Sequence, residues 1–521
     1  MKLKVCLAAS EITPFAKTGG LADVASGLGR ALGRAGGGPM EARPERGPKT
    51  GPEHGPESGV DVRLFLPYYP RIAQGDWQVT PVDEREAPGL AGPSGDHAIE
   101  LKLGERDFRF TLHKTRLPDS DVPVYLVSCP ELFHGGELYG GDDEHLRFAL
   151  FSRAVIETCQ RMGWAPDVIH CNDWHTAPIP LLLKLNYGWD QLFRDTRTVL
   201  TIHNIGYQGV FPLEVTRDLG WEQNHELLYG SDVEAGIVNF LKTGILYADR
   251  VTTVSRTYAR EIQADQGAGL EEILRARSES LFGIVNGVDY GDWDPANDPH
   301  LTHPFDAQDL SGKKKEKQAL LERFDLEVDL DAPLMGIVSR MTGQKGFEVL
   351  PDALAVLLKR DGVRLAILGS GEEKYESYFQ WLRDTFPTRV GVYFGYNEAL
   401  AHQIEAGSDL FLMPSRYEPC GLNQMYSLRY GTVPIVRRTG GLADTVEPFD
   451  RATDEGTGFL FDDFSSEAFF QAVRAALTVY KDPPAWRRLM LRGMSRDFSW
   501  DARVHDYLSL YRSLVAPSLA R

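Results

Sequence analysis

Short, nearly continuous apolar runs rich in Val, Ile and Leu recur along this chain, each followed by a polar turn. Runs of that kind mark strands buried on both faces, as in parallel sheets; a sheet with one wet face would alternate apolar and polar residues. The first half carries Val5–Ala9, Val62–Leu66, Val122–Val127, Val168–His170, Thr198–His203, Val251–Ser255 and Phe282–Val285. Helical patterns such as Leu21–Leu32 and Leu146–Met162 lie between several of them. After Val285–Asp289 the rhythm restarts with Leu334–Val338, Leu365–Leu368, Val392–Phe394, Leu410–Met413 and Val433–Val436. Alternating strand and helix predicts an α/β chain of two doubly wound, Rossmann-like domains.

The polar, turn-rich stretch Tyr290–Thr302 sets the expected division: a first domain over 1–288, a second over 289–500, and a tail over 501–521. Within that tail, Trp500–Leu514 reads as an amphipathic helix expected to pack across the domain junction. Two such domains facing one another leave a deep cleft at the carboxyl ends of both sheets, where ligands of open α/β sheets bind. Gly36–Gly59 stands apart, rich in Gly, Pro and charge and poor in the apolar residues that offset the entropy of ordering. It is expected to be a disordered surface insertion.

A length of 521 residues fits two large domains or three to four small ones. The formal charge of -18 repels nucleic acid and anionic membranes at long range, so neither is an expected partner. An anionic small substrate would need a local cluster of Lys and Arg. The five cysteines, Cys6, Cys129, Cys159, Cys171 and Cys420, are scattered and odd in number. That argues against a disulfide framework or a zinc finger and fits a reducing, cytoplasmic setting. The apolar start after Met1–Lys4 is too short for a signal peptide or a membrane span.

The first strand runs into Ser10–Val24, which contains Lys17, Thr18, Gly19, Gly20 and Asp23. A Gly pair before a helix lets backbone N–H groups approach a phosphate; the helix start adds partial positive charge and Lys17 a full one. Neither a dinucleotide fingerprint nor a P-loop has this spacing, and a Gly pair alone is compatible with a purely structural turn. The segment His170–His175 holds several zinc-ligand types, but it sits at a strand end, where one face cannot gather them all.

KTGGLADV at 17–24 closely resembles the opening loop of bacterial glycogen synthases and plant starch synthases. The resemblance continues in order through HCNDWHTA (170–177), TIHNIGYQG (201–209), LKTGILYADRVTTVS (241–255), VNGVD (285–289), SRMTGQKG (339–346), PSRYEPCGLNQ (414–424) and RRTGGLADTV (437–446). It implies a GT-B fold with an acceptor-side first domain and a nucleotide-sugar-binding second domain. The activity implied is retaining transfer of glucose from ADP-glucose to the non-reducing 4-hydroxyl of an α-1,4-glucan, with no cofactor and no metal. UDP-glucose remains open as donor, because base selection rests on pocket shape. A non-catalytic glucan-binding protein on the same fold is the rival reading; a phosphorylase would need a Lys-bound pyridoxal phosphate. Asp119 and Asp121 have the D-x-D spacing of metal-dependent glycosyltransferases, but lie in a Pro-flanked turn that reads as solvated surface.

Residue by residue, the resemblance gives Arg340 and Lys345 the charge that grows on the departing nucleoside diphosphate, a task suited to charge-assisted contacts in a dry cleft. It sets His175 beside the transferred glucose, supporting positive charge at the anomeric carbon. It makes Glu418 essential. A carboxylate there could be a nucleophile, a general base or an acceptor for sugar hydroxyls, and the last is preferred. A retaining glycosidase would pair two carboxylates about 5 Å apart, and no partner for Glu418 is evident in sequence. Asp143 matches the Asp of a family D-N-x-x-R-F motif, in which Glu144 here replaces the Asn. Lys17, Gly19, Gly20, Asn239 and Gln344 fall at positions on the donor side, as do Cys420 and Leu422 within EPCGLNQ, while Asp23, placed with them, could contact donor or acceptor hydroxyls. Cys420 alone reads as a small packing residue. Tyr396 could stack on adenine or be a core aromatic. Thr439, Gly440 and Gly441 form a second Gly-pair loop whose N–H groups could meet the diphosphate.

Overall fold

The computed structural model describes residues 2–36, 59–90, 97–135 and 137–515. The expected insertion at 36–59 lies, but for its two end residues, outside the described residues. The chain divides into two compact units: Met1–Thr253 with Ile262–Ile284 and Arg503–Arg521, and Val254–Glu261 with Val285–Ala502.

The first unit is built on seven parallel strands: β1 (Leu3–Ala8), β2 (Val60–Pro67), β3 (Pro123–Ser128), β4 (Val168–Asn172), β5 (Arg197–Ile202), β6 (Arg250–Thr253) and β7 (Leu281–Gly283). Their order across the sheet is β7-β6-β5-β4-β1-β2-β3. Every residue of β4 is buried, as a strand covered on both faces requires. Beyond β3 the sheet turns antiparallel through Arg106–Arg116, which also pairs with Ile99–Leu103 and Thr80–Pro81. Sequence reading passed over this ribbon, although Ile99, Leu101 and Leu103 are buried and Glu100 and Lys102 exposed, a clean period of two. A second ribbon it passed over pairs Val210–Pro212 with Ile237–Asn239.

Six parallel strands form the sheet of the second unit: β8 (Leu334–Val338), β9 (Arg364–Gly369), β10 (Val390–Phe394), β11 (Leu410–Met413), β12 (Val433–Arg437) and β13 (Phe459–Phe461). The order is β10-β9-β8-β11-β12-β13. Residues alternate between two apolar clusters. Met335, Ile337, Leu365, Ile367, Leu410 and Leu412 join one, while Leu334, Ala366, Leu368, Phe411 and Met413 join the other. Helices cover both faces, so both parities are apolar and the strands read as unbroken runs. β13 escaped sequence reading because three residues make too short a run.

In each sheet the strand order reverses once, between β1 and β4 and between β8 and β11. At such a switch point the connections on either side diverge and leave a crevice beyond the carboxyl ends of the two strands. The loops that follow β1, β4, β8 and β11 carry most of the candidate residues.

The final helix, Trp500–Val515, leaves the second unit at Ala502 and completes the first. Its Tyr511 hydroxyl lies 2.7 Å from His170 Nδ1 on β4. His170 Nε2 lies 2.6 Å from Thr201 Oγ1, which in turn lies 2.5 Å from Thr252 Oγ1. A buried polar chain thus ties the last helix to three neighbouring strands.

Candidate functional site

At the first switch point the loop after β1 turns on Glu11. Its buried carboxylate accepts from the Thr18 hydroxyl at 2.7 Å and from Gly19 N–H at 3.2 Å, and also takes the Thr18 N–H. The helix Gly20–Gly36 starts directly after these two residues, so the Glu11 carboxylate sits at its N-terminal end. Of the Gly pair that sequence reading set near a phosphate, Gly19 donates its N–H to Glu11. Lys17 Nζ lies 2.8 Å from Asp23 Oδ1, the same oxygen that accepts from Thr13 at 2.9 Å, so Lys17 is held at the loop's half-exposed rim.

His175, in the loop after β4, is enclosed by rings: Trp174 at 4.1 Å, Phe148 at 4.5 Å and Tyr139 at 4.8 Å between centroids. Its Nδ1 is buried without a hydrogen-bond partner. Burial, reinforced by the Arg147 charge, holds the imidazole well below its usual range, so it is neutral at physiological pH. Two residues earlier, Asp173 adopts a left-handed backbone with φ 54° and accepts from His203 N–H at 2.7 Å. Burial pushes its carboxyl up to about 7. A strained non-glycine residue at a sheet's switch point is the sort of geometry functional sites retain.

Tyr139 joins these two loops. Its hydroxyl donates to Glu11 Oε1 at 2.5 Å and lies 2.9 Å from Ser10 Oγ, while its ring rests on His175. The loop that carries Tyr139 is clamped by Arg147, which is buried and donates to the carbonyls of Glu137, Leu138 and Gly140. Glu144, the departure from the family motif, accepts from Gly140 N–H at 2.6 Å and so braces the same loop. Asp143 begins the helix Glu144–Arg161, and its carboxylate makes no hydrogen bond or ion pair among the described residues. Asn239 is an N-cap: its Oδ1 accepts from Lys242 N–H at 2.9 Å and its Nδ2 donates to Gln208 at 2.6 Å. Both ends of that amide are engaged within the fold.

At the second switch point Lys345 and Glu418 meet, with Nζ 2.7 Å from Oε2. The same oxygen accepts from Ser415 Oγ at 2.9 Å, and Glu418 is 5% exposed. Gly346 makes the approach possible. Its φ of 71° suits glycine, and a Cβ there would stand 2.0 Å from the Pro414 carbonyl. Gln344 belongs to the same contact, its carbonyl accepting from Arg416 N–H at 2.8 Å. Arg340, on the loop after β8, is exposed, and its guanidinium has no hydrogen bond or ion pair among the described residues. A paired and an unpaired cation thus share one switch point with a buried carboxylate.

The remaining candidates divide. Tyr396 is 78% exposed, so it is no core aromatic. Cys420 is buried beside Val254, Val288, Met425 and Tyr426, with Leu422 packed against them, as a small packing residue would be. Thr439, Gly440 and Gly441, the second Gly-pair loop, have their donors engaged within the second unit. Gly440 N–H donates to the Glu261 carboxylate at 3.0 Å, Thr439 Oγ1 donates to it at 3.1 Å, and Gly441 N–H donates to the Glu418 carbonyl at 3.1 Å. These donors are used inside the unit. Sequence reasoning missed Glu11, Tyr139, Arg147 and Glu261. Tyr139 and Glu261 meet partners more than a hundred residues away, Arg147 binds main-chain carbonyls, and Glu11 closes its own loop through contacts that follow no recognised capping spacing.

Residues 4–38 and 52–276 match the family described as the starch synthase catalytic domain, and 319–488 match glycosyl transferases group 1. A glycogen synthase from Desulforudis audaxviator (strain MP104C) is 42% identical over 98% of this chain and 97% of its own. One from Koribacter versatilis (strain Ellin345) is 43% identical over 98% of each. The solved catalytic domain of starch synthase IV from Arabidopsis thaliana, bound to ADP and acarbose, is 33% identical. It matches with a TM-score of 0.86 over 99% of this chain and 100% of that one. With its two switch-point sheets and full-length relatives of this kind, the chain belongs to the glycogen and starch synthase family, glycosyltransferases of the GT-B fold.

Proposed function

We propose that this glycogen synthase relative transfers glucose from ADP-glucose to the non-reducing 4-hydroxyl of an α-1,4-glucan with retention at the anomeric carbon. The observation that carries the reading is the Lys345–Glu418 pair at 2.7 Å, on the switch point that also bears Arg340, which has no partner among the described residues. As the bond from glucose to diphosphate breaks, negative charge grows on the leaving oxygen. Lys345, held by Glu418, and the exposed Arg340 are the cations available to it, and charge placed where charge develops lowers the barrier. Glu418, anchored through Oε2 by Lys345 and Ser415, holds the glucose hydroxyls in preference to attacking covalently. The neutral His175 and Asp143, whose carboxylate has no partner among the described residues, are assigned to the sugar by the family resemblance. Lys17, Asp23, Gln344 and Tyr396 are assigned to the donor, with Gly19, Gly20, Asn239 and Leu422 near it. The solved starch synthase IV domain bound to ADP and acarbose supports both the nucleotide and the glucan in this assignment.

No helix among the described residues is long and apolar enough to cross a membrane, and all five cysteines are free and buried. Unpaired thiols support a reducing, cytoplasmic setting. The test is a donor competition with purified protein, glycogen, ADP-glucose and UDP-glucose. ADP release with glucan lengthening, and a newly added α-linked glucose seen by NMR, is the expected result. Preference for UDP-glucose overturns the donor assignment, and absence of turnover with either overturns the activity.

A further inference from the structure

The hexapeptide Thr-Gly-Gly-Leu-Ala-Asp occurs twice, at 18–23 and at 439–444, once in each unit. The two copies are held alike. In the first, the Thr18 hydroxyl and Gly19 N–H donate to Glu11. In the second, the Thr439 hydroxyl and Gly440 N–H donate to Glu261. A glutamate closes both loops, Glu11 from seven residues upstream in the first and Glu261 from a distant helix in the second.

In the second unit the arrangement is reciprocal. Asp444, last of the hexapeptide, accepts from Ser255 Oγ at 2.9 Å, Thr257 N–H at 3.0 Å and Thr257 Oγ1 at 2.6 Å. The helices Arg256–Glu261 and Gly440–Thr445 therefore cap each other, each offering a carboxylate to the other's start. One consequence reaches further. Gly440 has φ 45°, and a Cβ on it would stand 1.9 Å from the Glu418 carbonyl. A Cβ on Gly441 would stand 2.1 Å from the Cys420 carbonyl, and Gly441 N–H donates to the Glu418 carbonyl. The loop that Glu261 holds is pressed against the backbone that carries the Glu418 side chain.

We propose that Glu261 is a positioning residue for glucosyl transfer: by fixing Thr439 and Gly440 it sets the main chain at Glu418 and, through it, the carboxylate that pairs with Lys345. This rests on the reading of Glu418 as a residue that touches substrate. Asp444 ties the same two helices together, yet no hydrogen bond joins its side chain to the 418–420 backbone. It is therefore the control for a merely structural role.

The experiment compares Glu261→Gln with Asp444→Asn in the full chain, measuring kcat, the KM for glycogen, ADP affinity and Tm. Misplacement of a catalytic group is expected to lower kcat about tenfold to a hundredfold in Glu261→Gln. Its glycogen KM and ADP affinity should stay within about twofold, because substrate binding is not what the change removes. Asp444→Asn should lower Tm with kcat within about twofold of the parent. Equal loss of kcat in both variants, or unchanged kcat in Glu261→Gln, overturns the proposal. If Glu261→Gln does not fold, Thr439→Val, which removes one of the two donors, is read by the same criteria. Glu418→Gln is assayed alongside. Should that variant turn over normally, it is the role of Glu418 that fails, and the positioning role loses its object.

Discussion

Lys345 Nζ lies 2.7 Å from Glu418 Oε2, joining the loop after β8 to the loop after β11 across the switch point of the second sheet. Either partner alone would be a poorly solvated charge. Together they hold one another's geometry ready for a substrate. Glu418→Gln is expected to lower kcat about a thousandfold, and Lys345→Met about a hundredfold to a thousandfold, the scale of losing one preorganised charge. The double variant should lose much less than the product of the two, because groups that act as a unit are not additive. Steady-state kinetics on the three proteins checks this, and strict additivity would mean that the pair does not act together.

Gly346 offers a backbone test of the same contact. A Cβ at this position meets the Pro414 carbonyl and demands a left-handed backbone that side chains disfavour. Gly346→Ala is expected to cost about 2 kcal/mol or more in stability and to reduce kcat, since the loop bearing Lys345 must retreat from the strand-end loop of Glu418. Denaturant melts and kinetics on one preparation measure both. An unchanged kcat would separate the close approach from catalysis.

Tyr511→Phe removes a single hydroxyl from the contact between the last helix and β4, leaving His170 Nδ1 buried without that partner. The expected loss is about 1 kcal/mol of stability with the helix still docked, since the ring stays buried. Chemical denaturation supplies the value. A neutral result would show that the polar chain through His170, Thr201 and Thr252 is not coupled to the helix.

Acid sensitivity follows from the first switch point. Burial lowers His170 and His203 to about 3 and lowers His175 in the same direction. Below pH 6.5 the unfolded chain therefore binds protons on these imidazoles that the folded chain refuses, and stability falls with pH. Asp173, raised to about 7 from 3.8, acts oppositely: the folded chain binds its proton between those values, and stability is gained as pH falls. Among these four groups the histidines outnumber the aspartate, and on their own they contribute a net uptake of about two protons on unfolding, roughly 3 kcal/mol per pH unit between pH 6.5 and 4; the buried carboxyls of Glu405 and Glu261, both raised by burial, offset part of it. The slope of unfolding free energy against pH should fall by about one proton in His170→Gln relative to the parent. A slope unchanged by that substitution would refute the assignment.

Much of the architecture was legible from the chain alone. Strands covered on both faces must be apolar at both parities, so β8 and β11 could be read to the residue, and the helix Trp500–Val515 to within one. The order of family motifs was enough to indicate the enzyme class, because loops such as KTGGLAD and EPCGLNQ are local strings. Local periodicity does not report which strands neighbour one another, and so it could not show that the four candidate loops fall at two switch points. Nor could it tell how backbone donors are spent. The N–H groups of both Gly-pair loops looked open to a phosphate, and tertiary structure gives most of them to Glu11, Glu261 and the Glu418 carbonyl. A buried donor takes the nearest acceptor the fold supplies, from wherever in the chain it comes. Sequence by itself determined most of the buried parallel strands, the motif set and the identity of the charged residues. Only tertiary structure decided that Lys345 meets Glu418, that Arg340 has no partner among the described residues, and that Tyr139 and Arg147 stand behind His175, because those relations are distances between segments far apart along the chain.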